Sequence, residues 1–194
     1  MELPRKPQQE LDRAKKQIQA MESAESLDDF EHHWALFLHF IERVWNKSEA
    51  HFKQSPAWAG WRGKYVNMRS RDALITYLRH ARNADQHSVE EITDRLPGGT
   101  TISNNSGGPI TITKLDVTGG GPATYEADGH LDIAFTPGKV KLIPVTNYGT
   151  TYEPPTTHQN QAIDPSDVVG VARTGAAFYE DMLNAAVRKF CRDR

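Results

Sequence analysis

Apolar residues recur at helical spacing in the first part of the chain. One predicted helix face is apolar at alternating steps of three and four residues, at Leu27, Phe30, Trp34, Phe37, Ile41 and Val44. This spacing is typical of an amphipathic helix that buries one stripe. Ser26 can cap the helix, and Asp29 places a carboxylate in its first turn, where the helix dipole favours it. The pattern predicts a long helix that begins after Ser26.

Two further helices are predicted beside it. The first extends from Pro7 to about Met21 and carries few apolar residues among many charged ones. The other begins near Ser70 and continues to about His87 or Ile92. Residues 55–61 break the helical pattern, so we predict a loop there. Residues 1–95 are therefore expected to form the main part of a helical bundle.

The chain changes character over residues 96–163. Ten of the 14 glycines lie between positions 98 and 149, and apolar residues alternate with polar or small ones at 110–113, 130–135 and 139–143. These features predict short antiparallel strands. Glycine-containing turns are expected between them at Gly107-Gly108, Gly119-Gly120-Gly121 and Pro137-Gly138. Residues 144–163, which are rich in proline and threonine, are predicted to be loop.

A last helix is predicted over residues 164–194. Asp164 is placed as its N-cap and Pro165 at its first helical position. Its apolar stripe consists of Val168, Val171, Gly175, Phe178, Met182 and Ala185. Such a helix must bury its stripe against other helices. The expected fold is α+β and mainly α: a helical bundle with a small antiparallel β-rich insertion, residues 96–163, before a C-terminal helix that returns to the bundle.

Composition and charge limit the kinds of function that this chain can have. The 194 residues carry a formal net charge of −2, which gives no basic field of the kind that duplex-DNA-binding domains have. Cys191 is the single cysteine, so neither an intrachain disulfide nor a zinc site of several thiolates is possible. No apolar run is long enough for a membrane span, and the N-terminus does not have the pattern of a signal peptide. We expect a cytoplasmic protein without membrane partners.

The polar stretch from Arg79 to His87 is the main candidate site. Arg79, Asn83 and His87 are spaced by four residues and share a helix face, and His80 lies close to that face. A guanidinium can bind phosphate and stabilise its developing charge. An imidazole can exchange protons near neutral pH, and an amide can orient either group. Together these groups favour RNA cleavage, for which we expect neither a metal nor a cofactor.

The segment Arg82-Asn83-Ala84-Asp85-Gln86-His87 resembles the Arg-polar-x-x-x-His motif of the HEPN superfamily. That family consists of helical-bundle proteins and includes metal-independent endoribonucleases of toxin–antitoxin and phage-defence systems. The resemblance implies that Arg82 binds phosphate, that His87 is the acid–base residue and that Asn83 supports them. It also implies a homodimer in which two motifs meet, with RNA as substrate and an antitoxin or other protein as partner. Arg79 and His80 are further candidates for substrate binding.

Two alternatives stay open. The polar residues of the stretch are equally typical of a solvated helix face, with Asn83 and His87 bonded to the insertion. The chain would then be a non-catalytic protein-interaction module, or a structural module of a phage or mobile element.

A metal site at His32 and His39 is disfavoured. These two histidines are seven residues apart, whereas helical metal motifs place their ligands three or four residues apart and include a carboxylate. A packed or surface role is predicted for both.

Overall fold

The chain is mainly α, with small antiparallel sheets inserted before the C-terminal helix, as the sequence predicted. A computed structural model describes residues 1–87, 91–104, 107–116 and 124–191, except for the side chain of His87. Its helices are α1 (Arg5–Glu22), α2 (Leu27–Phe52), α3 (Trp58–Arg71), α4 (Ala73–His87) and α5 (Val168–Phe190). Within this described part of the chain, no helix is both long and apolar enough to cross a lipid bilayer.

The helices share one apolar core. The stripe predicted for α2 is buried along its central part, where Trp34, Phe37, Ile41 and Val44 are at most 2 % exposed. Residues from all five helices contribute to the same cluster, including Leu11 of α1 and Met182 of α5. Burying one such side chain stabilises the fold by roughly 1.5–3 kcal/mol relative to leaving it in water. The bundle therefore holds its helices, and the polar side chains on them, in fixed orientations.

A buried ion pair links three of the helices. The Nη2 atom of Arg69, on α3, lies 2.9 Å from both carboxylate oxygens of Glu42 on α2. Its Nη1 atom donates to the hydroxyl of Tyr179 on α5. Burial raises the pKa of Tyr179 to about 12, so this hydroxyl keeps its proton at neutral pH. Breaking such a pair by removing one partner leaves an uncompensated buried charge.

The helix starts were predicted with mixed success. Ser26 caps α2 as expected, because its hydroxyl accepts a hydrogen bond from the backbone N–H of Asp29 at 3.0 Å. The predicted cap of the last helix was wrong. Asp167 caps α5 by accepting from the N–H of Gly170 at 2.8 Å. Asp164 instead accepts from the N–H of Ser166 at 2.9 Å and forms a turn before the helix.

Helix α3 corrects the loop predicted over residues 55–61. The helix begins at Trp58 and ends at Arg71, and the extended backbone of Asp72 separates it from α4. The predicted helix from Ser70 therefore starts three residues later, at Ala73. Pattern analysis missed α3 because its apolar residues do not follow one stripe and because it contains Gly60 and Gly63, which lower helix propensity.

The β-rich region contains short strands in antiparallel pairs. The strands are β1 (Thr93–Leu96), β2 (Gly99–Ser103), β3 (Ile112–Asp116), β4 (Thr124–Ala127), β5 (Asp132–Thr136), β6 (Lys139–Leu142), β7 (Val145–Asn147), β8 (Thr150–Tyr152), β9 (Thr157–His158) and β10 (Gln161–Ala162). Strand β2 pairs with β5, and β3 pairs with β4, with a register shift between Ile112 and Lys114. The turn predicted at residues 119–121 lies outside the described residues.

The loop predicted over residues 144–163 was wrong in part. This segment forms two small hairpins, β7–β8 and β9–β10. In their turns, Tyr148, Gln159 and Asn160 adopt positive φ, a left-handed conformation that usually favours glycine. These turns were missed because the sequence has no glycine at those positions.

The chain divides into two compact units, one made of Met1–Asp94 with Val140–Arg194 and the other of Arg95–Lys139. The two small hairpins thus belong to the helical unit.

Candidate functional site

Helix α4 carries the predicted polar stretch. The apolar residues of the helix fix its orientation about its own axis. The buried apolar side chains of the helix are Leu74, Ile75, Tyr77, Leu78, Ala81 and Ala84, each at most 3 % exposed. They occupy the face that points into the bundle. The side chains of Asp85 and Gln86 are consequently exposed, and those of Arg82 and Asn83 are half-buried. The sequence pattern therefore places a polar edge along the last turns of α4.

Arg82 and Asn83 contact each other at this edge. The Nη1 atom of Arg82 donates a hydrogen bond to Oδ1 of Asn83 at 3.1 Å. The Nε atom of Arg82 is buried and, among the described residues, has no hydrogen-bond partner. The contact holds the guanidinium against the helix that carries it. The side chain of His87 lies outside the described residues, so its position relative to Arg82 stays a prediction.

A second helix adds an imidazole to this edge. His39 of α2 lies beside the last turn of α4, where its Nδ1 atom is 3.1 Å from the amide nitrogen Nε2 of Gln86. Burial lowers the pKa of His39, and the nearby charges of Arg43 and Arg82 lower it further. The ring is therefore neutral at pH 7. We define Arg82, Asn83, Gln86 and His39 as the α4 edge cluster.

Sequence reasoning did not find His39 as part of this cluster. A packed or surface role was predicted for it, because its seven-residue spacing from His32 does not match a helical metal motif. The one local signal is that His39 and Arg43 lie four residues apart, and so on one face of α2. The contact with α4 depends on helix packing, and no pattern within α2 gives that information.

Arg79 and His80, the further candidates for substrate binding, make protein contacts. The Nη2 atom of Arg79 lies 2.9 Å from Nε2 of His80. The Nδ1 atom of His80 lies 3.1 Å from the side-chain amide of Asn147. The imidazole stacks on the ring of Tyr152, with centroids 3.6 Å apart and planes 9° from parallel. His80 is therefore enclosed by the β7–β8 hairpin and is 8 % exposed.

These contacts determine the state of the His80 ring. A guanidinium can only donate, so Nε2 accepts from Arg79. Nδ1 lies against the Nδ2 amide nitrogen of Asn147. Burial, together with the charge of Arg79, lowers the pKa of His80 to about 4. The ring is neutral at physiological pH, and both of its nitrogens are occupied.

A cleft lies next to the N-terminal half of α4. Its volume is about 350 Å³, and it is lined by Ser70, Arg71, Ala73, Thr76, Tyr77 and residues 151–156. The hydroxyl of Tyr77 donates to the carbonyl of Ile143 at 2.8 Å, and burial raises the pKa of this phenol. Arg71 and Glu153 give the lining one charge of each sign. This cleft offers no imidazole for acid–base chemistry, unlike the α4 edge cluster.

No metal centre is found in the part of the chain that the structure describes, since no three His, Cys, Asp or Glu side chains there are grouped to bind an ion. Comparisons of the chain with protein-family models, with curated proteins and with solved structures find no match.

Proposed function

We propose that this chain is a metal-independent endoribonuclease of the HEPN type, with its active site at the polar edge of α4. The observation that carries the proposal is the contact between Arg82 and Asn83, the two residues that open the motif, at 3.1 Å. These residues lie on a helix whose opposite face is fixed in the core. The side chains of Arg82 and Asn83 are half-buried, and thus still accessible to a ligand.

Arg82 provides the phosphate-binding group. Its Nη1 atom is bonded to Asn83, and its Nη2 atom is not engaged by any residue that the structure describes. A planar guanidinium with one free arm can donate to a phosphate oxygen. As negative charge develops on the non-bridging oxygens, this donor stabilises the transition state more than the ground state. Asn83 limits the motion of the guanidinium and so lowers the cost of orienting it.

The proposed reaction is an internal transfer at phosphorus. An imidazole removes the proton of a 2′-hydroxyl, and the 2′-oxygen forms a bond to the adjacent phosphorus. The bond from phosphorus to the 5′-oxygen breaks, and its electron pair goes to that oxygen, which takes a proton from a second acid. The products are a 2′,3′-cyclic phosphate and a 5′-hydroxyl. His87 is the acid–base residue that the motif implies.

The proposed partners follow from the same resemblance. Two chains meet with their α4 edges facing each other, so that RNA binds in a cleft between two motifs. An antitoxin or another protein is the proposed regulatory partner. A net charge of −2 gives no strong long-range attraction for RNA, so binding must depend on local cations such as Arg79 and Arg82.

The test is cleavage of a labelled RNA in the presence of a chelator. Arg82→Ala is expected to lower the rate about 10²–10³-fold through loss of charge stabilisation, and His87→Ala about 10²–10⁴-fold through loss of proton transfer. Matched controls are Arg188→Ala at an exposed arginine of α5 and His130→Ala at a side chain that is 83 % exposed. Both controls should cleave as the wild type does. Unchanged cleavage by Arg82→Ala would reject the proposal.

A protein-interaction role is a second candidate, and the unit Arg95–Lys139 supports it. In the described part of this unit, Leu131 is the one large hydrophobic side chain that is buried. Four others are 41–46 % exposed: Leu96, Ile112, Leu115 and Phe135. Such side chains mark a surface that another molecule covers where they form one contiguous apolar patch. Replacing residues 95–139 by a short linker should abolish partner binding under this hypothesis, and it should leave RNA cleavage intact under the first.

A further inference from the structure

The imidazole of the α4 edge cluster has its proton placed by a neighbour. The amide nitrogen of Gln86 lies 3.1 Å from Nδ1 of His39. An amide NH₂ group only donates, so Nδ1 accepts and carries the lone pair. Burial, together with the charges of Arg43 and Arg82, lowers the pKa of His39 and keeps the ring neutral at pH 7. The single proton of the neutral ring therefore lies on Nε2, and His39 is a hydrogen-bond donor at that atom.

This donor has no acceptor in the part of the chain that the structure describes. The ring of His39 is half-buried, so a ligand can still reach it. An N–H group that finds no acceptor within the protein bonds to water or to a ligand. The Nε2–H group of His39 is therefore available for binding.

Arg82 brings a second donor to the same place. Gln86 follows Arg82 by four residues, so both side chains leave α4 on one face. The Nη1 atom of Arg82 donates to Asn83 at 3.1 Å, and its Nη2 atom has no partner among the described residues. The charge of Arg82 also lies close enough to His39 to act on its pKa. One neutral and one cationic donor, from two different helices, thus share the α4 edge cluster.

We propose that His39 and Arg82 bind one phosphate group of RNA together. The Nε2–H group of His39 and the Nη2 group of Arg82 donate to its non-bridging oxygens. This inference deepens the proposed ribonuclease function, on which it rests for the choice of RNA as the ligand. A phosphodiester oxygen only accepts hydrogen bonds, so a site made of donors matches it. Gln86 is the positioning residue, because it fixes the tautomer in which Nε2 donates.

Of the two carboxylates that act on the imidazole, one is engaged by cations. Oε1 of Glu10 lies 2.8 Å from Nη2 of Arg43, and its Oε2 atom lies 3.3 Å from Nη1 of Arg13. The other carboxylate is Asp85 of α4, which raises the pKa of His39 and so acts against a bound anion. Asp85→Asn removes this opposing charge and should strengthen phosphate binding.

His33, on the same helix as His39, has the opposite arrangement and provides a control. Its Nδ1 atom lies 2.9 Å from the side-chain oxygen of Gln17 on α1. An amide oxygen only accepts, so Nδ1 carries the proton when the ring of His33 is neutral. Histidine ¹⁵N and ¹³C NMR spectra at about pH 8, where an imidazole is neutral, should show the Nε2–H tautomer for His39 and the Nδ1–H tautomer for His33. The Nδ1–H tautomer at His39 would overturn its role as donor.

Binding is measured with a labelled 2′-O-methyl oligonucleotide, which has the phosphates of RNA but no 2′-hydroxyl to react. His39→Leu removes the donor and should weaken binding about 10- to 100-fold, as expected for a lost hydrogen bond to a charged group. His39→Gln keeps an N–H donor near the position of Nε2 and should retain most of the affinity. His33→Leu should bind as the wild type does. Equal losses in His39→Leu and His39→Gln would show a purely structural role of His39.

The salt dependence of binding separates the neutral donor from the cation. Arg82→Ala should reduce the slope of log affinity against log salt concentration by about 0.7, the value for one phosphate contact on a single strand. His39→Leu should lower the affinity and leave this slope unchanged. Circular dichroism and thermal unfolding show whether each variant is folded. If His39→Leu does not fold, Gln86→Leu tests the site at an exposed position, since it releases the tautomer and should weaken binding with the same slope.

Inorganic phosphate distinguishes RNA from free phosphate as the ligand. Added alone, it should perturb the NMR signals of His39 and leave those of His33 unchanged. The oligonucleotide should displace it, because further phosphates of the same strand contact the protein. Perturbation of His39 by inorganic phosphate, without any binding of the oligonucleotide, would assign the site to free phosphate and overturn the choice of RNA.

The outcomes separate this inference from the ribonuclease proposal. Oligonucleotide binding that requires His39 and Arg82, together with cleavage of RNA, supports both. The same binding with RNA left intact supports the phosphate site and rejects the cleavage reaction. Binding that requires Arg82 but is unchanged in His39→Leu would overturn the role of His39 alone. A wild-type protein that neither binds the oligonucleotide nor cleaves RNA would overturn both.

Discussion

At the scale of single residues, the environment of an imidazole decides its chemistry. His80 and His39 both contact α4 side chains, but His80 is 8 % exposed, stacked on Tyr152 and bonded at both nitrogens. His39 is bonded at one nitrogen in the described structure and lies at a half-exposed edge. The first arrangement stabilises a hairpin against a helix, and the second leaves Nε2 of His39 without a partner among the described residues. The two histidines therefore differ in how far their ring nitrogens are accessible to a ligand.

His80 gives a testable prediction on acid stability. Its folded-state pKa of about 4 lies below the value of 6.5 for an unperturbed histidine, so protonation favours unfolding. The contribution is complete above pH 6.5 and is lost progressively as the pH falls towards 4, by up to about 3 kcal/mol. In His80→Phe, which keeps a ring to stack on Tyr152, this loss should disappear. Urea unfolding of both proteins between pH 4 and 7 measures the difference, and parallel curves would contradict the prediction.

At the scale of elements, the start of α4 is tied to a hairpin. The carboxylate of Asp72 accepts from the N–H of Ile75 at 3.1 Å and so caps the helix. Its other contacts are the N–H of Gln159 at 2.8 Å and the ring of His158 at 2.9 Å. One carboxylate therefore joins helix α4 to the β9–β10 hairpin. The backbone and imidazole contacts lower the pKa of Asp72 and outweigh the opposing effect of burial.

The double role of Asp72 predicts a large cost on its removal. Asp72→Ala should destabilise the fold by about 2–4 kcal/mol, the sum of a lost cap and of hydrogen bonds to a charged group. Ser26→Ala is the matched control, because Ser26 caps α2 at an exposed site and its loss should cost about 1 kcal/mol. Chemical unfolding of the two variants provides the comparison. Equal losses would show that the hairpin contacts of Asp72 contribute nothing.

The sequence predicted correctly those elements whose signals, an apolar stripe, an alternation or a capping residue, lie within a short stretch of the chain. The stripe of α2 and its cap Ser26 are confirmed, and so is the insertion of antiparallel strands before the last helix. The start of α5 was misplaced, because Asp164 and Asp167 are both good caps and only the turn at Ser166 decides between them. Helix α3 and the small hairpins lack a clear stripe or alternation. The place of His39 beside Gln86 depends on a contact 47 positions apart in sequence.

At the scale of the whole molecule, the apolar core belongs to one unit. Every residue of the core cluster lies in Met1–Asp94 or Val140–Arg194. The two ends of that unit at the insertion are close together, since Nζ of Lys141 lies 3.0 Å from Oδ2 of Asp94. A short linker can therefore close the gap. The unit has the properties of a domain that folds without the insertion.

Deletion of Arg95–Lys139 tests this. With these residues replaced by a short Gly/Ser linker, we expect the helical circular-dichroism signal per helical residue and a cooperative thermal transition to be retained. The physical reason is that the deletion removes none of the core cluster. Loss of the cooperative transition in the shortened protein, with the full-length chain as reference, would show that the insertion contributes to the stability of the helical unit.

The central claim is that the polar edge of α4 cleaves RNA, and the most direct measurement is a chelator-treated cleavage assay with analysis of the product ends. We predict that the wild-type protein produces 2′,3′-cyclic phosphate and 5′-hydroxyl ends. Arg82→Ala should lose this activity while remaining folded, and Arg188→Ala should retain it. Cleavage by Arg82→Ala at the wild-type rate, or a folded wild-type protein that leaves RNA intact, would contradict the claim.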